Sequence, residues 1–382
     1  MTAIPYSHQK IDADDVRAVA EVLRSDWLTQ GPKVQEFEQA FARTVGARFA
    51  VALSSGTAAL HAAYFAAGIG KGDEIISAPI TFPATTNAAL WQGATPVFAD
   101  IDERTGNIDP EDVKRKITKR ARAIVPIDYS GLPARLGELR EIARQHKLLV
   151  IEDAAQALGA RYRGKMIGSI SDMTIFSFHP VKSITTGEGG AVATDRKDFY
   201  ERMCIFRTHG VTRDLRRLTK KKEGPWYFEM QELGMNYRLT DIQAALGISQ
   251  LKKLSRFIKE RREIAERYHH ALSGLEGIIL PLQDTQEMQS AWHLYPIRLA
   301  GSIAKKRAAI FKALREVGIG VQVHHIPVHL HPYYKKLGFH TGIFPRAERF
   351  YESEISLPIF PGLTFKDQKH VIATLQRILR DI

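Results

Sequence analysis

The sequence contains a single cysteine, Cys204, in 382 residues. One thiol cannot form an intrachain disulfide or a thiolate cluster for zinc or iron–sulfur binding. This scarcity is typical of a reducing compartment, so we expect a cytoplasmic protein. Long apolar runs are also missing: none reaches the roughly 18 residues that span a bilayer, and the first residues, MTAIPYSHQKIDADD, lack the apolar core of a signal peptide. We therefore expect a soluble protein with no membrane partner.

Negative charge is scarce relative to positive charge. The chain has 54 Lys and Arg against 42 Asp and Glu, a formal net charge of +12. Such an excess favours phosphate-bearing partners. The basic clusters are nevertheless dispersed, at 114–122, 216–222 and 259–262, and no nucleic-acid-binding motif accompanies them. We interpret them as solvated helix faces and loops, or as a surface that attracts acidic small molecules, and we expect no nucleic acid partner.

Seven short apolar runs recur in the first half of the chain. They are FAVAL (49–53), EIISAP (74–79), TPVFAD (95–100), AIVPID (123–128), LLVIED (148–153), TIFSF (174–178) and AVATD (191–195). Runs of this kind are typical of strands buried on both faces. Helical stretches such as LGELREIARQHK lie between them. The alternation predicts an α/β fold with a mostly parallel seven-stranded sheet, helices on both faces, and ligands at the carboxyl ends of the strands.

The pattern changes after Thr240. A charged amphipathic stretch, 241–272, predicts one or two helices that lead out of the sheet. Beyond it, HLYPIRL (293–299), KKRAAIFKALREVG (305–318) and VQVHHI (321–326) indicate a smaller α+β unit. We expect a large domain over residues 1–250 and a small C-terminal domain over residues 251–382.

The segment SSGTAAL (54–60) follows the first predicted strand and opens a helix. Hydroxyl groups, a glycine and the free N–H groups of a helix N-terminus are what a phosphate group requires. Ordinary capping of the helix by Ser55 or Thr57 is the alternative.

The segment LLVIEDAAQALGA ends an apolar strand at Glu152 and Asp153. An ionised aspartate at the site end of a sheet can hold the proton of a basic ring nitrogen. The alternative is that Asp153 caps a following helix.

Lys182 lies between the strand TIFSF and the glycine-rich turn GEGG (187–190). An amine at the mouth of a sheet, with its pKa lowered by neighbouring charge, can be a Schiff-base nucleophile and a proton carrier. A lone loop lysine is ordinarily solvated. The combination of Lys182 with the two preceding motifs, and with Ser177 at a strand end, makes it a catalytic candidate.

In this chain order the motifs resemble the pyridoxal 5′-phosphate (PLP) enzymes of aspartate-aminotransferase fold, fold type I. Within them the sequence resembles the sugar aminotransferase family that includes the DegT, DnrJ, EryC1 and StrS proteins. The likeness covers nearly the whole chain and is carried by SGTAAL, ITFPAT, VFADID, IEDAAQALGA, SFHPVK with GEGGAV, and LGMNYRLTDIQAALG. It implies a PLP-dependent transaminase with a large sheet domain and a smaller C-terminal α+β domain.

The resemblance implies catalytic and phosphate-binding roles for individual residues. Lys182 would carry the cofactor as an imine and move a proton between the donor and the cofactor. Related dehydratases have histidine at this position, so the lysine indicates a transaminase. Asp153 would pair with the pyridinium nitrogen. The phosphate would be held by Gly56, Thr57 and Ser177.

Further residues would contact the cofactor ring, a second subunit and the substrate. Gln156 would lie against the ring or its phenolic oxygen, and Phe82 would stack on the ring face, with core packing as the alternative. Asn236 would reach the cofactor phosphate of a neighbouring subunit, which implies a homodimer with shared active sites; a turn or capping role is the alternative. The implied substrate contacts are Tyr6, Glu188 and His325.

A finer resemblance lies in YSHQKID, LTQG, SFHPVKSITTGEGGA, QSAWHLYPI and VQVHHIPVHLHPYY. These segments resemble the enzymes that transfer an amino group from L-glutamate to C4 of UDP-2-acetamido-2,6-dideoxy-β-L-arabino-hexos-4-ulose, a UDP-linked keto sugar of the pseudaminic acid pathway. The alternatives are an aminotransferase for another 4-keto nucleotide sugar, a UDP-linked pentose or a dTDP-linked 6-deoxyhexose, and a non-catalytic regulator of the same fold. We expect no metal at HHIPVHLH, because no carboxylate or cysteine accompanies these histidines at ligand spacing.

Overall fold

The structure is a computed structural model that describes residues 3–381. The strands are β1 (Phe49–Leu53), β2 (Glu74–Ser77), β3 (Thr95–Phe98), β4 (Ala121–Val125), β5 (Leu149–Asp153), β6 (Arg161–Tyr162), β7 (Lys165–Met166), β8 (Met173–Ser177), β9 (Gly190–Thr194), β10 (Val211–Thr212), β11 (Glu229–Met230), β12 (Ile278–Ile279), β13 (Met288–Gln289), β14 (Tyr295–Leu299) and β15 (Glu354–Leu357).

The α-helices are α1 (Ala13–Leu23), α2 (Pro32–Val45), α3 (Gly56–Ala66), α4 (Ala84–Trp91), α5 (Pro110–Lys116), α6 (Leu136–His146), α7 (Lys197–Phe206), α8 (Asp241–Leu251), α9 (Leu254–Leu272), α10 (Arg307–Glu316), α11 (Pro332–Lys336), α12 (Pro345–Ser353) and α13 (Phe365–Asp381). Short 3-10 helices cover Tyr129–Gly131, Gly301–Lys306 and Val328–Leu330.

The central sheet has seven strands in the order β1-β9-β8-β5-β4-β2-β3. Strand β9 runs antiparallel to both of its neighbours, β1 and β8, and the pairs from β8 to β3 are parallel. Each of the seven apolar runs forms one of these strands. The predicted mostly parallel α/β sheet is therefore confirmed. The bounds agree at FAVAL, whereas the strand in AIVPID begins earlier, at Ala121, and ends at Val125.

Strand β1 illustrates why its sequence is apolar at every position. Ala50 and Ala52 pack into one hydrophobic core with Phe41 of α2. Val51 and Leu53 pack into a second core, on the opposite face, that contains the alanine-rich helix α3. Successive side chains of a strand point to opposite faces, so a strand between two helical layers needs apolar residues throughout.

A third hydrophobic core belongs to the C-terminal part of the chain. It is formed by α9, α10, α13 and the three-stranded antiparallel sheet β12-β14-β15. Ile4 packs into this core and pairs with Ile319, so the N-terminus crosses to the C-terminal unit. The amphipathic stretch after Thr240 forms two helices, α8 and α9. The division between residues 250 and 251 stays a prediction.

The fold places several chain segments at one edge of the sheet. The carboxyl ends of β1, β5 and β8 meet there, and each is followed by a loop or a helix start that carries a candidate residue. The C-terminal unit covers this edge with the segment 322–326. Within residues 3–381, no helix has both the length and the apolar character needed to cross a membrane.

Candidate active site

A cavity of about 730 Å³ lies at the carboxyl ends of β1, β5 and β8. We call it the strand-end cavity. All but one of the residues proposed from the sequence line it, namely Tyr6, Gly56, Thr57, Phe82, Asp153, Gln156, Ser177, Lys182, Glu188 and His325. Asn236 is the exception. The volume falls in the range of ordinary small-molecule sites.

Lys182 lies on the loop that joins β8 to β9. The backbone N–H of Lys182 donates to the carbonyl of His179 at 2.9 Å, and the N–H of Thr186 donates to the carbonyl of Phe178 at 3.0 Å. This turn directs the amine into the cavity. Burial lowers the pKa of Lys182 to about 8, although the negative charge of Asp153 opposes the shift. A larger fraction of the amine is therefore neutral near neutral pH than in a solvated lysine.

Asp153 is the last residue of β5 and is almost fully buried. Its Oδ2 accepts a hydrogen bond from Thr85 Oγ1 at 2.7 Å, and its Oδ1 accepts one from the N–H of Ala155 at 3.1 Å. Burial raises the pKa of Asp153, and the hydrogen bond from Thr85 opposes that shift. The next element after β5 is the short strand β6, not a helix, so the capping alternative is excluded.

The N-terminus of α3 and the end of β8 form a small anion cradle. Ser55 caps the helix, because its side chain accepts from the N–H of Ala58 at 3.0 Å. The N–H groups of Gly56 and Thr57 precede the point at which an α-helix pairs its own donors, so they stay available to a ligand. A Cβ at Gly56 would lie 3.0 Å from the Cβ of Ser177. Glycine therefore allows the helix start to approach the Ser177 hydroxyl.

Gln156 and Phe82 lie on different walls of the strand-end cavity. Gln156 Oε1 accepts from the N–H of Ser130 at 2.7 Å, which directs its amide nitrogen to His325 Nε2, 3.2 Å away. The Phe82 side chain is 63% exposed, so it is not part of a hydrophobic core. Its ring centroid lies 6.2 Å from that of His325, edge to face. An exposed aromatic at a cavity wall is free to contact a planar ligand.

The mouth of the cavity is made by loops. The rings of Tyr6 and His324 lie 5.6 Å apart between centroids. Glu188 is exposed, and its carbonyl accepts from Gln243 Nε2 at 2.7 Å, which leaves its carboxylate at the cavity surface. Charged and aromatic side chains at this end can contact a polar, extended substrate.

Asn236 lies outside the strand-end cavity of its own chain. It is exposed and forms an antiparallel bridge with Thr208. The neighbouring Tyr237 accepts at its carbonyl from the N–H of Ser54 at 2.9 Å, beside the start of the anion cradle. The position of Asn236 thus leaves its side chain available to another chain.

Three residues of the site were not identified from the sequence: Thr85, His293 and His324. Thr85 lies in the quoted ITFPAT segment, and only its contact with Asp153 reveals its role. His293 is buried in the cavity wall, and its Nδ1 has no hydrogen-bond partner in the part of the chain described here. Burial and the nearby Lys182 hold the pKa of His293 well below its usual value. A lone histidine gives no sequence signal for such a position.

The histidine-rich turn was expected to bind no metal. Across residues 3–381, no group of three His, Cys, Asp or Glu side chains has an arrangement that fits a metal ion. His329 Nε2 lies 2.9 Å from Glu348 Oε1, and His324 and His325 line the strand-end cavity.

The donor set of the cavity fits PLP. A lysine amine suits the aldehyde, a buried carboxylate suits the ring nitrogen, and a helix N-terminus beside Ser177 suits the phosphate. These three features lie in one cavity that has room beside them for a second ligand.

The family pattern described as "DegT/DnrJ/EryC1/StrS aminotransferase family" matches residues 9–376. Spore coat polysaccharide biosynthesis protein SpsC of Bacillus subtilis is 42% identical over 380 residues, which cover 99% of this chain and 97% of SpsC. UDP-4-amino-4,6-dideoxy-N-acetyl-β-L-altrosamine transaminase of Campylobacter jejuni is 39% identical over 388 residues, which cover 99% of this chain and 98% of that protein.

A solved structure is similar along its full length. Helicobacter pylori PseC, described as an aminotransferase involved in the biosynthesis of pseudoaminic acid, superposes with a TM-score of 0.93 at 34% sequence identity. The superposition covers 100% of both chains. The agreement in fold and in sequence therefore extends over the sheet and the C-terminal unit alike.

Proposed function

The chain belongs to the DegT/DnrJ/EryC1/StrS aminotransferase family, and from that premise we propose that it aminates C4 of a UDP-linked 4-keto-6-deoxy-N-acetylhexosamine. It is a PLP-dependent sugar aminotransferase. L-Glutamate is the proposed amino donor, and UDP-2-acetamido-2,6-dideoxy-β-L-arabino-hexos-4-ulose is the proposed acceptor. The proposed context is the pseudaminic acid pathway in the cytoplasm.

One observation carries the proposal: Lys182, Asp153 and the anion cradle share one cavity of about 730 Å³, which the loop residues Tyr6 and Glu188 also line. A small amino acid donor would not need so much space. A nucleotide sugar does, because its diphosphate and base extend away from the reacting carbon. The positive charge of the chain favours such an anionic substrate.

Bound PLP supplies an electron sink that makes a proton on the carbon next to the nitrogen acidic. The part that this chain plays is the movement of that proton. Lys182 Nζ, whose pKa is lowered to about 8, would move that proton from the donor's α-carbon to the cofactor in one half-reaction and from the cofactor to the sugar C4 in the other. Two half-reactions on one site give ping-pong kinetics.

The other site residues hold the reacting groups in place. Asp153, oriented by Thr85 Oγ1 at 2.7 Å, would pair with the ring nitrogen and favour its protonated form. Gly56, Thr57 and Ser177 would bind the phosphate through N–H and O–H donors. Phe82 and Gln156 would contact the ring.

The C4 amination of a UDP-linked amino sugar is supported by the name of the Campylobacter jejuni relative, which describes that type of product. The name of SpsC, which is 42% identical, refers to polysaccharide biosynthesis and to no particular acceptor, so the alternative acceptor is tested beside the proposed one. That alternative is another 4-keto nucleotide sugar, such as a UDP-linked pentose or a dTDP-linked 6-deoxyhexose.

Residues at the mouth of the cavity are proposed to bind the substrate. Tyr6, Glu188 and His325 all line the strand-end cavity, and His325 lies 3.2 Å from the amide nitrogen of Gln156. A homodimer is proposed because Asn236 is exposed beside the cradle and outside its own cavity. In the dimer its amide would donate to the phosphate of the neighbouring site.

The experiment is a panel of keto sugar nucleotides incubated with purified protein and glutamate. The proposal expects 2-oxoglutarate and an amino sugar from UDP-linked 4-keto-6-deoxy-N-acetylhexosamines. Rejection of every such sugar, with turnover of a dTDP-linked or pentose substrate, would replace the proposed acceptor with the alternative. A protein that aminates no sugar but keeps an effect in cells after Lys182→Ala would instead be a regulator.

A further inference from the structure

Two further acidic side chains lie close enough to Asp153 to interact with its charge. Glu152 precedes it in β5, and Asp128 lies on the neighbouring chain segment that follows β4. Both residues have no exposed surface. Three carboxyl groups are therefore buried within one small region of the sheet edge.

The hydrogen bonds of these two side chains leave one oxygen of each without a conventional donor. Glu152 Oε2 accepts from Ser171 Oγ and from Thr174 Oγ1, both at 2.9 Å. Asp128 Oδ1 accepts from the N–H of Ala134 at 2.8 Å. Asp128 Oδ2 and Glu152 Oε1 have no N–H or O–H partner among the described residues. The two side chains instead contact each other.

No cation neutralises this pair. Neither Asp128 nor Glu152 takes part in an ion pair within residues 3–381. The charged groups that face the pair are each other and Asp153. Two adjacent buried negative charges without a partner are strongly unfavourable, so one carboxyl must keep its proton.

The surroundings decide which carboxyl keeps it. Burial and the charge of Glu152 raise the pKa of Asp128 well above its usual value. Burial also raises the pKa of Glu152, but hydrogen bonds from Asp128, Ser171 and Thr174 oppose the shift. Glu152 therefore has more hydrogen-bond donors to stabilise its negative charge, and Asp128 keeps the proton.

We propose that Asp128 and Glu152 share one proton, carried on Asp128 Oδ2 and donated to Glu152 Oε1, and that this pair positions Asp153. The connection to Asp153 is through the backbone. The N–H of Asp128 donates to the carbonyl of Asp153 at 3.1 Å, and the N–H of Asp153 donates to the carbonyl of Pro126 at 2.9 Å. The shared proton fixes both strand ends and leaves one negative charge, rather than two, behind the Asp153 carboxylate.

The same segment also positions Gln156. Ser130, two residues after Asp128, donates its N–H to Gln156 Oε1. Gly131 follows with φ of 95°, and a Cβ there would lie 2.9 Å from the carbonyl oxygen of Gln156. The segment is closely packed against the cavity wall, so a displacement of Asp128 would move two proposed cofactor contacts. The catalytic part of this inference rests on the proposed function, whereas the shared proton does not.

The protonation of Asp128 is tested by infrared spectroscopy of the holoprotein at neutral pH. The wild type is expected to show the carbonyl stretches of two protonated carboxylic acids, those of Asp128 and Glu354, and Asp128→Asn to lack the Asp128 band. The matched control is Glu354→Gln, because burial raises the pKa of Glu354 to about 8 and makes it a second protonated acid. The Glu354 band should decline as pH rises through about 8. With Glu354→Gln also in place, Asp128→Asn should show no protonated-acid band, and a band that persists at neutral pH in that double variant would overturn the proposal.

Thermal unfolding gives the second measurement. Asparagine keeps a donor to Glu152 Oε1, so Asp128→Asn should change the melting temperature by less than about 2 °C, whereas Asp128→Leu, which leaves Glu152 charged and unpaired, should lower it by roughly 5 °C or more. If Asp128→Leu does not fold, the comparison is made between Asp128→Asn and Glu152→Gln. Glu152→Gln removes the anion and should be the less stable of the two. The reverse order would overturn the assignment of the proton.

The proposal predicts the direction in which the stability of the folded protein changes with pH. The folded pKa of Asp128 lies above its unfolded value, so the folded state binds the extra proton and its stability falls as pH rises from the unfolded pKa through the folded one. Asp128→Asn should remove the contribution of Asp128 to this slope and leave that of Glu354, whose raised pKa gives a slope of the same sign. An unchanged slope would contradict the shared proton even if the enzyme had no activity on any sugar, so the two proposals fail separately.

The proposed positioning of Asp153 by the pair is tested with the absorption spectrum of bound PLP. Asp128→Leu should alter the absorption spectrum and the pH titration of bound PLP, and Asp128→Asn should restore both. An unaltered spectrum in a folded Asp128→Leu variant would overturn the positioning role.

Discussion

The two ends of the strand-end cavity are built differently. The inner end consists of Asp153, Ser177 and the first residues of α3, which are strand ends and a helix start packed between two hydrophobic cores. The outer end consists of Tyr6 and Glu188, which lie on loops and are partly or fully exposed. The inner end is surrounded by buried residues, whereas the outer end is more exposed to solvent, although hydrogen bonds hold the backbone carbonyls of Tyr6 and Glu188.

This difference separates chemistry from recognition. Proton movement and cofactor binding require atoms held to within a fraction of an ångström, which packed elements provide. Loops tolerate substitution, so one scaffold can accept different nucleotide sugars. Substitutions at the inner end should therefore lower turnover with any substrate, and those at the outer end should alter the preference among substrates.

The largest effect is expected for Lys182→Ala. Removal of the amine would eliminate both the proposed covalent link to PLP and the proposed proton carrier, so turnover should fall by more than about 10³-fold. Borohydride reduction followed by peptide mapping measures the link directly. If the reduced PLP label were found on another side chain of the wild type, the catalytic role assigned to the inner end would be wrong.

Asp153→Asn should come next, with a loss of turnover of about 10²-fold or more, because a neutral amide no longer favours the protonated ring nitrogen. Thr85→Val keeps the carboxylate and removes one hydrogen bond to it. A smaller loss, of roughly tenfold, is expected for that variant. Steady-state kinetics with two different keto sugars would check both. Equal losses in the two variants would contradict the role assigned to the charge.

Gly56→Ala should weaken PLP binding by about tenfold, because the new methyl group meets the Cβ of Ser177 at 3.0 Å and separates the two halves of the anion cradle. Gly70→Ala is the matched control, since a Cβ there would lie an ordinary 3.8 Å from the carbonyl oxygen of Gln92. Fluorescence titration of apoprotein with PLP measures the affinity. Equal PLP affinities in the two variants would contradict the proposed binding of the phosphate by the anion cradle.

The pH dependence of Lys182 reactivity sharpens the comparison at the inner end. Its pKa is lowered to about 8, so the neutral, reactive amine accumulates as pH rises. In the apoprotein, acylation of Lys182 should accelerate about tenfold per pH unit below that value and level off above it. Mass spectrometry of the labelled peptide gives the rate. A plateau reached only near the ordinary lysine pKa would show a solvated amine.

The smallest effects are expected at the outer end. Glu188→Gln and Tyr6→Phe should change KM for the sugar nucleotide by a few-fold, roughly the contribution of one exposed polar contact, and leave kcat with glutamate alone unaffected. Half-reaction kinetics, measured once with glutamate and once with the sugar nucleotide, separates the effects on the two substrates. A fall in the glutamate half-reaction would place these residues in the chemistry.

The sequence allowed the sheet, the family and the cofactor to be predicted correctly, because seven apolar runs and the motifs around Asp153 and Lys182 are local features. Thr85 was not identified, since it acquires its role only from its contact with Asp153, and His293 was not, since only the folded chain buries it in the cavity wall. Phe82 could not be separated from a core residue by its sequence. Its exposure in the folded chain decides that point.

By itself, then, the sequence determined which residues can supply an amine, a carboxylate and an anion cradle, since these depend on residue type and on position at a strand or helix end. Only the tertiary structure decided how those groups are charged. The shift of Lys182 and the buried pair of Asp128 and Glu152 arise because folding removes water from side chains that lie 24 or more residues apart in the chain. Desolvation is a property of the folded surroundings, and no local pattern encodes it.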